Sequence, residues 1–247
     1  MKDRVAMVSG GAGGIGTEIV RSLHAQGYKV ASTCTVMECA RVQQWKKERE
    51  LEHVEVVMVE VDVRNYESCL KGVEEVESRL GPIDVLVNNA GITKDGVMKK
   101  MSPEQWQSVI DVNLTGTWNM TKAVLDGMLE RQYGRIINIS SVNGQKGQFG
   151  QVNYAAAKAG MHGITMSLAQ EVARKGITVN TVSPGYIGTD MVMAIDEEIR
   201  NKIIATIPVG RLGKPEEIAR LVTFLAAEES GFMTGADFSI NGGMYTH

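Results

Sequence analysis

The sequence contains few of the residues that metal-bound, disulfide-rich or membrane-inserted proteins require. It has three cysteines and four histidines among 247 residues, and no CxxC or Cys/His ligand spacing occurs. We therefore expect no metal site. We interpret Cys34, Cys39 and Cys69 as unpaired thiols in a reducing compartment, since disulfides are rare there.

The chain also lacks long apolar runs and a strong charge of either sign. No stretch approaches the roughly 20 apolar residues that a transmembrane helix needs. Residues 1–4 lead directly into a short strand pattern, without the apolar segment of a signal peptide. The formal net charge of -3 argues against a nucleic-acid-binding surface. These absences predict a cytoplasmic protein with no membrane or nucleic-acid partner.

Short Val- and Ile-rich runs alternate along the chain with longer helical patterns. Such continuously apolar runs are typical of strands covered on both faces. The predicted strands are residues 5–9, 29–34, 54–61, 85–88, 135–140, 178–182 and 237–240, and the predicted helices are residues 15–26, 66–79, 104–130, 154–174 and 215–227. Asn65 and Ser102 stand where N-caps are expected, and Pro103 suits a first helical position. We predict one α/β domain over residues 1–247, a Rossmann-like doubly wound parallel sheet flanked by helices.

A glycine-rich turn follows the first predicted strand and opens the first helix. Glycines let the backbone approach a pyrophosphate closely, and the helix N-terminus offers unpaired N–H groups to the anion. A plain turn is the alternative, but the position between strand and helix favours a dinucleotide site. The candidate cofactor residues of this turn are Gly10, Gly13, Gly14, Ile15 and Gly16.

The end of the second predicted strand bears on the choice of dinucleotide. NAD-binding proteins carry an acid there for the ribose hydroxyl, whereas this chain has Ser32 and Thr33. That difference favours NADP(H), with Arg41 as the candidate phosphate partner. An ordinary exposed arginine explains Arg41 equally well. Glu38 would favour NAD if its carboxylate pointed into the site.

The next two strand ends add further cofactor candidates. Asp62, followed by Val63, could accept a hydrogen bond from the adenine amino group or cap the following helix. Asn89, Ala90 and Gly91 come after the fourth strand, where small residues let the backbone pack against a flat ring. A ligand-free turn is the alternative for this segment.

Three polar side chains near the fifth strand form a candidate reactive group. Tyr154 and Lys158 are four residues apart on a predicted helix and therefore share one face. A nearby ammonium favours the phenolate and lowers a tyrosine pKa, so the pair suits a general acid. Ser141, at the strand end, could donate a hydrogen bond to a carbonyl oxygen.

Taken together, these pieces resemble the short-chain dehydrogenase/reductase family over nearly the whole chain. The resemblance implies that Tyr154 is the acid–base and that Lys158 binds the nicotinamide ribose. It makes Ser141 the residue that orients the carbonyl and Asn113 the holder of a water in the proton relay. It also places four more residues at the nicotinamide end, namely Pro184, Gly185, Ile187 and Thr189.

Within that family, residues 140–151, 166–172, 183–187 and 228–243 are most similar to acetoacetyl-CoA reductases of polyhydroxybutyrate synthesis. This similarity implies reduction of acetoacetyl-CoA to (R)-3-hydroxybutyryl-CoA with NADPH, by a homotetramer. The residues that it implicates in binding the acyl-CoA substrate are Asp95, Gln148, Phe149, Gln151 and Tyr186.

Two other functions are compatible with parts of the pattern. The first is reduction of a 3-oxoacyl thioester on acyl carrier protein, an acidic partner that needs a basic docking patch. Such a patch could consist of Arg131, Arg135, Arg174 and Lys175. The second is a non-catalytic dinucleotide sensor, but such a protein should lack the reactive tyrosine or lysine.

Overall fold

The structure is a computed structural model that describes residues 3–246. Met1, Lys2 and His247 lie outside the described residues. Seven strands form one sheet. The first and last residue of each strand lie within two residues of the predicted bounds. The strands are β1 (Val5–Val8), β2 (Lys29–Cys34), β3 (Val56–Glu60), β4 (Ile83–Asn88), β5 (Gly134–Ile139), β6 (Ile177–Pro184) and β7 (Asp237–Ile240).

Helices occupy most of the chain between the strands. They are α1 (Gly14–Ala25), α2 (Val36–Cys39), α3 (Val42–Glu48), α4 (Tyr66–Leu80), α5 (Pro103–Ile110), α6 (Gly116–Arg131), α7 (Val142–Lys146), α8 (Val152–Val172), α9 (Asp190–Met193), α10 (Glu197–Ala205) and α11 (Pro215–Ala226). The five predicted helices are confirmed. The short ones escaped prediction because four to nine residues show too little periodicity.

The strand order is β3-β2-β1-β4-β5-β6-β7, and all neighbouring pairs are parallel. This is the predicted Rossmann-like sheet. The chain reverses its direction of strand addition between β1 and β4, which opens a crevice at the carboxyl ends of these strands. The segments that follow β1, β4 and β5 therefore meet at one edge of the sheet.

Alternate side chains of the strands pack against opposite helical layers. Ala6 and Val8 belong to the core beneath α1 and α11, whereas Val5 and Met7 belong to the core beneath α4, α6 and α8. All four are buried. Full burial of an apolar side chain the size of Val or larger stabilises the folded state by about 1.5–3 kcal/mol. This double coverage explains why the strands are continuously apolar in sequence.

Local signals set the helix ends. The Asn65 side chain accepts a hydrogen bond from the Ser68 N–H at the start of α4. Ser102 forms a capping box with Gln105, and Pro103 occupies the first turn of α5. Asp62, the alternative cap for α4, does not cap it.

The predicted helix 104–130 contains a π turn over Asp111–Thr115, between α5 and α6. One residue is thereby inserted into the helical ladder, a feature that is frequent at functional sites. Asn113 lies within this turn.

The interpretation of all three cysteines as unpaired thiols is wrong for two of them. Cys34, at the end of β2, forms a disulfide with Cys39 at the end of α2. A tight turn at Thr35 brings the two Cα atoms to 5.4 Å, within the range that a disulfide spans. Cys69 is free and buried. The cysteines therefore give no argument for a reducing compartment, and the cytoplasmic location stays a prediction.

Residues 3–246 offer neither a metal-binding cluster nor a candidate membrane span. No group of three or more His, Cys, Asp or Glu side chains in this range is arranged to hold a metal ion. No helix in the same range is both long and apolar enough to span a bilayer.

Candidate active site

A cavity of about 910 Å³ lies at the carboxyl edge of the sheet, over the crevice between β1 and β4. It receives the glycine turn, the ends of β2, β3, β4 and β5, the start of α8 and the segment after β6. The predicted site residues that line it are Gly10, Gly13, Gly14, Ile15, Gly16, Asp62, Val63, Asn89, Ala90, Gly91, Ser141, Gln151, Tyr154, Lys158, Pro184, Gly185, Tyr186, Ile187 and Thr189.

The glycine turn is shaped to admit an anion at the start of α1. Gly10 has a φ of 66°, which disfavours other residues, and Gly13 is the N-cap. No side chain caps this helix, so its first N–H groups remain free beside the cavity. A Cβ on Gly14 would approach the Thr189 side chain to 2.7 Å. The turn therefore leaves backbone, and not side chains, against any bound phosphate.

The hydroxyls at the end of β2 support this turn. The Ser32 Oγ accepts a hydrogen bond from the Gly11 N–H at 3.0 Å, and the Thr33 Oγ1 accepts one from the Gly10 N–H at 3.0 Å. The Glu38 carboxylate lines the cavity but accepts hydrogen bonds from the backbone N–H and the hydroxyl of Thr35. The Glu38 carboxylate is thus engaged in the capping box of α2.

Arg41, the candidate phosphate partner, does not line the cavity. It is exposed at the N-cap of α3. Two other guanidinium groups line it instead, Arg49 at the end of α3 and Arg64 after β3. Arg49 forms an ion pair with Asp190 across the cavity mouth. Sequence reasoning missed both arginines because each is far in sequence from the end of β2.

Asp62 is held by Arg64, two residues further along the chain. The Arg64 Nη2 lies 2.7 Å from the Asp62 Oδ2, and the Arg64 N–H also donates to Asp62. These bonds hold the pKa of Asp62 below its ordinary value. The carboxylate is therefore ionised at neutral pH and can act only as a hydrogen-bond acceptor.

The segment after β4 is bonded to the end of β1. The Ser9 Oγ accepts hydrogen bonds from the N–H groups of Asn89 and Ala90, both at 3.0 Å. The Asn89 Nδ2 donates to the main-chain oxygen of Gly10 at 2.9 Å. Gly91 then passes close to Lys158, because a Cβ on it would lie 3.5 Å from the Lys158 Nζ.

The structure brings Ser141, Tyr154 and Lys158 together in the cavity wall. Ser141 is the N-cap of α7, and its Oγ accepts from the Asn143 N–H at 3.1 Å. This leaves its proton free to donate. The Tyr154 hydroxyl is within hydrogen-bonding reach of Ser141. The Lys158 Nζ lies 5.6 Å from the centre of the Tyr154 ring and donates to the Ile139 carbonyl at 2.7 Å.

Burial dominates the titration of both Tyr154 and Lys158. It raises the pKa of Tyr154, while the hydrogen bond from Ser141 opposes this shift. It lowers the pKa of Lys158 to about 8. The expected lowering of the tyrosine pKa by Lys158 is not seen in the protein alone, because burial is the largest influence on this pKa and Lys158 is not among the groups that shift it.

Asn113 lies behind this group and does not line the cavity. Its side chain is completely buried, and both of its polar atoms are bonded to Ile92. The Oδ1 accepts from the Ile92 N–H at 2.8 Å, and the Nδ2 donates to the Ile92 oxygen at 3.0 Å. A relay water could therefore bind only its main-chain carbonyl, which also accepts from the Thr117 hydroxyl.

The comparisons with known proteins agree with this geometry. A family model described as enoyl-(acyl carrier protein) reductase matches residues 10–245. An acetoacetyl-CoA reductase from Shinella zoogloeoides is 56% identical over 243 residues, 98% of each chain. One from Cupriavidus necator is 54% identical over 245 residues, 99% of each chain. The chain belongs to the short-chain dehydrogenase/reductase family.

A more distant relative is a 3-oxoacyl-[acyl-carrier-protein] reductase from Vibrio cholerae. It is 43% identical over 245 residues, 99% of this chain and 98% of that protein. Membership of the short-chain dehydrogenase/reductase family makes the protein an oxidoreductase that uses a nicotinamide dinucleotide. The uncapped start of α1 and the bare glycine turn fit the pyrophosphate of such a cofactor.

The predicted substrate residues fall into two groups in this short-chain dehydrogenase/reductase. Gln151 and Tyr186 line the cavity, and Gln151 donates to the Asp95 Oδ2 at 2.9 Å. Gln148 and Phe149 do not line it, and Phe149 is 86% exposed. Asp95 also lies outside the lining, but its bond to Gln151 connects it to the cavity wall.

Asn143 is a residue of the site that sequence reasoning missed. It is buried, lines the cavity beside Ser141, and donates through its Nδ2 to the Gln151 Oε1 at 2.9 Å. The Asp95 carboxylate accepts from the Gln151 amide and so orients Gln151, which in turn orients Asn143. The only signal for Asn143 in the sequence was its position two residues after Ser141.

The proposed basic patch for an acidic carrier protein does not lie at the cavity entrance. Arg131 ends α6 before β5, Arg135 lies at the start of β5, and Arg174 and Lys175 precede β6. All four are therefore at the amino edge of the sheet, opposite the cavity. Arg135 is also buried and donates to main-chain oxygens, including that of Ala227.

Proposed function

We propose that this protein reduces acetoacetyl-CoA to (R)-3-hydroxybutyryl-CoA with NADPH. The convergence of Ser141, Tyr154 and Lys158 beside a bare glycine turn supports the chemistry. The identities of 54% and 56% to acetoacetyl-CoA reductases, against 43% to the carrier-protein reductase, support the substrate.

Tyr154 is the proton donor in this proposal. Its raised pKa keeps the hydroxyl protonated at neutral pH, which is the form that reduction requires. The nicotinamide, when bound, supplies the hydride for the keto carbon. The Ser141 proton, left free by the bond from Asn143, donates to the same carbonyl oxygen and polarises it.

Lys158 supplies positive charge beside the phenol. With a pKa of about 8, its ammonium is still largely protonated at pH 7 and can donate to a ribose hydroxyl. The ammonium also favours the phenolate that remains after proton transfer. Asn113 in this proposal provides its main-chain oxygen for the relay water, since Ile92 occupies its side chain.

The preference for NADPH rests on arginines other than Arg41. Arg49 and Arg64 line the cavity, where a guanidinium can bind a 2′-phosphate through two hydrogen bonds. The Glu38 carboxylate is bonded back to Thr35 and so is not available to a ribose hydroxyl in that position.

Gln151, Asn143 and Tyr186 are proposed to contact the acyl thioester, and Asp95, which lies outside the cavity lining, to orient Gln151. Their amide and hydroxyl groups suit the amide-bearing arm of CoA. The exposed Phe149, next to Gln148, would pack against the part of this arm that lies outside the cavity. The four basic residues expected to dock an acidic carrier protein lie at the opposite edge of the sheet, which disfavours that partner.

Steady-state assays test this function. The turnover of acetoacetyl-CoA is compared with that of an acetoacetyl-acyl-carrier-protein thioester, each with NADPH and NADH. We expect the highest kcat/KM for acetoacetyl-CoA with NADPH, and chiral analysis should find the (R) product. A higher kcat/KM for the carrier-protein thioester would overturn the substrate assignment.

A homotetramer is part of the same proposal. Trp106, Trp118, Val152 and Met166 are exposed apolar side chains on α5, α6 and α8. Exposed apolar side chains that gather into one patch often mark a subunit interface, and we propose that these four do so. Light scattering coupled to size exclusion should give four times the 26.9 kDa chain mass.

A further inference from the structure

A polar network lies under the reactive group, on the side away from the cofactor turn. It consists of Ser140 on the segment after β5, His162 on α8, Ser183 on β6 and Asp237 on β7. The His162 Nε2 lies 2.9 Å from the Ser140 Oγ, 3.4 Å from the Ser183 Oγ and 3.6 Å from the Asp237 Oδ2. None of these four residues lines the cavity except Ser140.

The hydrogen-bond partners determine which ring nitrogen carries the proton. The Ser140 hydroxyl donates to the Lys158 main-chain oxygen at 2.9 Å, since that oxygen can only accept. The Ser183 hydroxyl donates to the Asp237 Oδ1 at 2.6 Å for the same reason. Both serine protons are thus committed, and the His162 Nε2 must be the donor to Ser140.

This network joins the two segments that carry the reactive side chains. Ser140 immediately precedes Ser141, and its hydroxyl is bonded to the helical turn that bears Lys158. His162 follows Lys158 by one turn on α8 and donates to Ser140. The strand end and the helix are therefore connected by a second route, in addition to the bond from Lys158 to Ile139.

The network also reaches α7, the short helix that Ser141 caps. The Gln145 Nε2, on α7, donates to the Asp237 Oδ2 at 2.7 Å and to the Ser239 Oγ at 2.7 Å. Asp237 thereby accepts hydrogen bonds from α7 and from β6. It connects the helix behind Ser141 to the edge strand of the sheet.

We propose that His162 and Asp237 are positioning residues for the reduction, which hold Ser141 and Lys158 at their mutual distance. They touch neither substrate nor cofactor. His162 acts by donating through Nε2 to Ser140, and Asp237 acts by holding α7 through Gln145. This inference rests on the proposed reductase function, because its effect is expressed in the rate of the chemical step.

The test compares two substitutions of one residue. His162→Gln keeps an N–H donor at a similar reach, whereas His162→Leu keeps the volume without a donor. We expect His162→Leu to lower kcat by on the order of ten- to a hundredfold, as a small displacement of reacting groups does. The KM for NADPH should change less than about twofold, since the glycine turn is remote. His162→Gln should restore most of kcat.

Asp237→Asn is the second variant, and it replaces one acceptor oxygen by an NH₂ group. It should lower kcat in the same direction, because Ser183 and Gln145 both need an acceptor. Equal losses in the Gln and Leu variants of His162, or an unchanged kcat in a folded His162→Leu protein, would overturn the proposal. A drop in melting temperature with unchanged kcat would mean that the network is only structural.

Amide hydrogen exchange separates this inference from the proposed function. Residues 142–146 should exchange faster in His162→Leu than in the parent protein, whereas His162→Gln should resemble the parent. A parent protein with no activity on any 3-oxoacyl thioester would contradict the reductase assignment alone. Unchanged exchange in His162→Leu would contradict the positioning network.

Discussion

The Lys158 ammonium donates to the Ile139 carbonyl at 2.7 Å, and so connects the helix of Tyr154 to the strand that leads to Ser141. The lysine side chain is buried in the cavity wall, so few other acceptors compete for this donor. Its hydrogen bond therefore orders the reactive group as well as placing a charge in it. Several of the following expectations depend on this one contact.

Tyr154→Phe should lower kcat by at least about 10²-fold, because general acid catalysis contributes roughly that much or more. The dissociation constant for NADPH, measured by fluorescence titration, should stay within about threefold of the parent value. Tyr133→Phe is the matched control, since the buried Tyr133 hydroxyl has no hydrogen-bond partner among residues 3–246. A Tyr154→Phe enzyme that turns over at the parent rate contradicts the assignment of the proton donor.

Lys158 should make stability depend on pH in the alkaline range. Burial lowers its pKa to about 8, below the value of an unfolded lysine. Between about pH 8 and 10 the unfolded chain binds more protons at this position, so the free energy of unfolding rises with pH, by about 3 kcal/mol in total.

Urea unfolding at pH 7.5 and 9.5 measures this slope. Lys158→Met has a side chain of similar length that does not titrate. In this variant the free energy of unfolding should therefore rise less between the two pH values than in the parent. Other groups titrate equally in both proteins and cancel in the difference. The same rise in the Met variant and in the parent would show that Lys158 has an ordinary pKa.

Gly144→Ala should destabilise the protein and lower activity. Its Cβ would lie 2.9 Å from the Lys158 carbonyl carbon, so α7 would have to move away from α8. Overpacking of this kind costs about 1–3 kcal/mol. It would also displace Ser141, and kcat should fall.

Gly163→Ala is the control for that substitution. Gly163 is an exposed position in the middle of α8, and nothing lies within 4 Å of its Cβ position. Alanine in a helix is favoured over glycine by about 0.5–1 kcal/mol, so thermal unfolding should shift upwards. If Gly144→Ala behaved like this control, the close packing of α7 on α8 would not hold in solution.

Removal of a guanidinium from the cavity should weaken binding of NADPH more than binding of NADH. Arg49→Ala and Arg64→Ala each remove a charged donor, and a charge-assisted hydrogen bond is worth about 1.5–3 kcal/mol. We expect the KM for NADPH to rise on the order of tenfold in at least one of them. Arg41→Ala should change it little, and a larger effect there would restore Arg41 as the phosphate partner.

The Cys34–Cys39 disulfide predicts a defined thiol count. Titration of the unfolded, unreduced protein should detect one thiol, from Cys69, whereas three would contradict the bond. Closure of so short a loop stabilises the fold by about 2 kcal/mol. A dithiol should therefore lower the melting temperature of the parent. It should not lower that of a Cys34→Ser, Cys39→Ser double variant.

Much of the architecture could be predicted because it depends on local patterns. Strand-like runs, several of them continuously apolar, identified all seven strands, and a glycine turn between strand and helix identified the cofactor crevice. The Tyr154 and Lys158 spacing also follows from helix geometry alone, since residues four apart share a face. Asn113 required the resemblance to a family, because a residue inside a helical pattern gives no functional signal of its own.

Other parts of the site depended on distances that no local pattern encodes. Arg41 was expected in the cavity because it follows β2 closely, but its position at the N-cap of α3 turns it outwards. Arg49 lines the cavity only because α3 carries it back towards Asp190. The prediction of a basic patch at the cavity entrance was wrong for a related reason. Residues at the beginnings of strands lie at the amino edge of the sheet, opposite the cavity.

The sequence by itself determined which chemical groups are available and which of them share a strand end or a helix face. Only the tertiary structure decided which of these groups are buried and what they bond. Burial reversed the expected shift in the Tyr154 pKa, and the backbone of Ile92 formed hydrogen bonds with the Asn113 side chain. Desolvation and hydrogen-bond competition arise from neighbours that are distant in the chain, so no reading of local spacing could have supplied them.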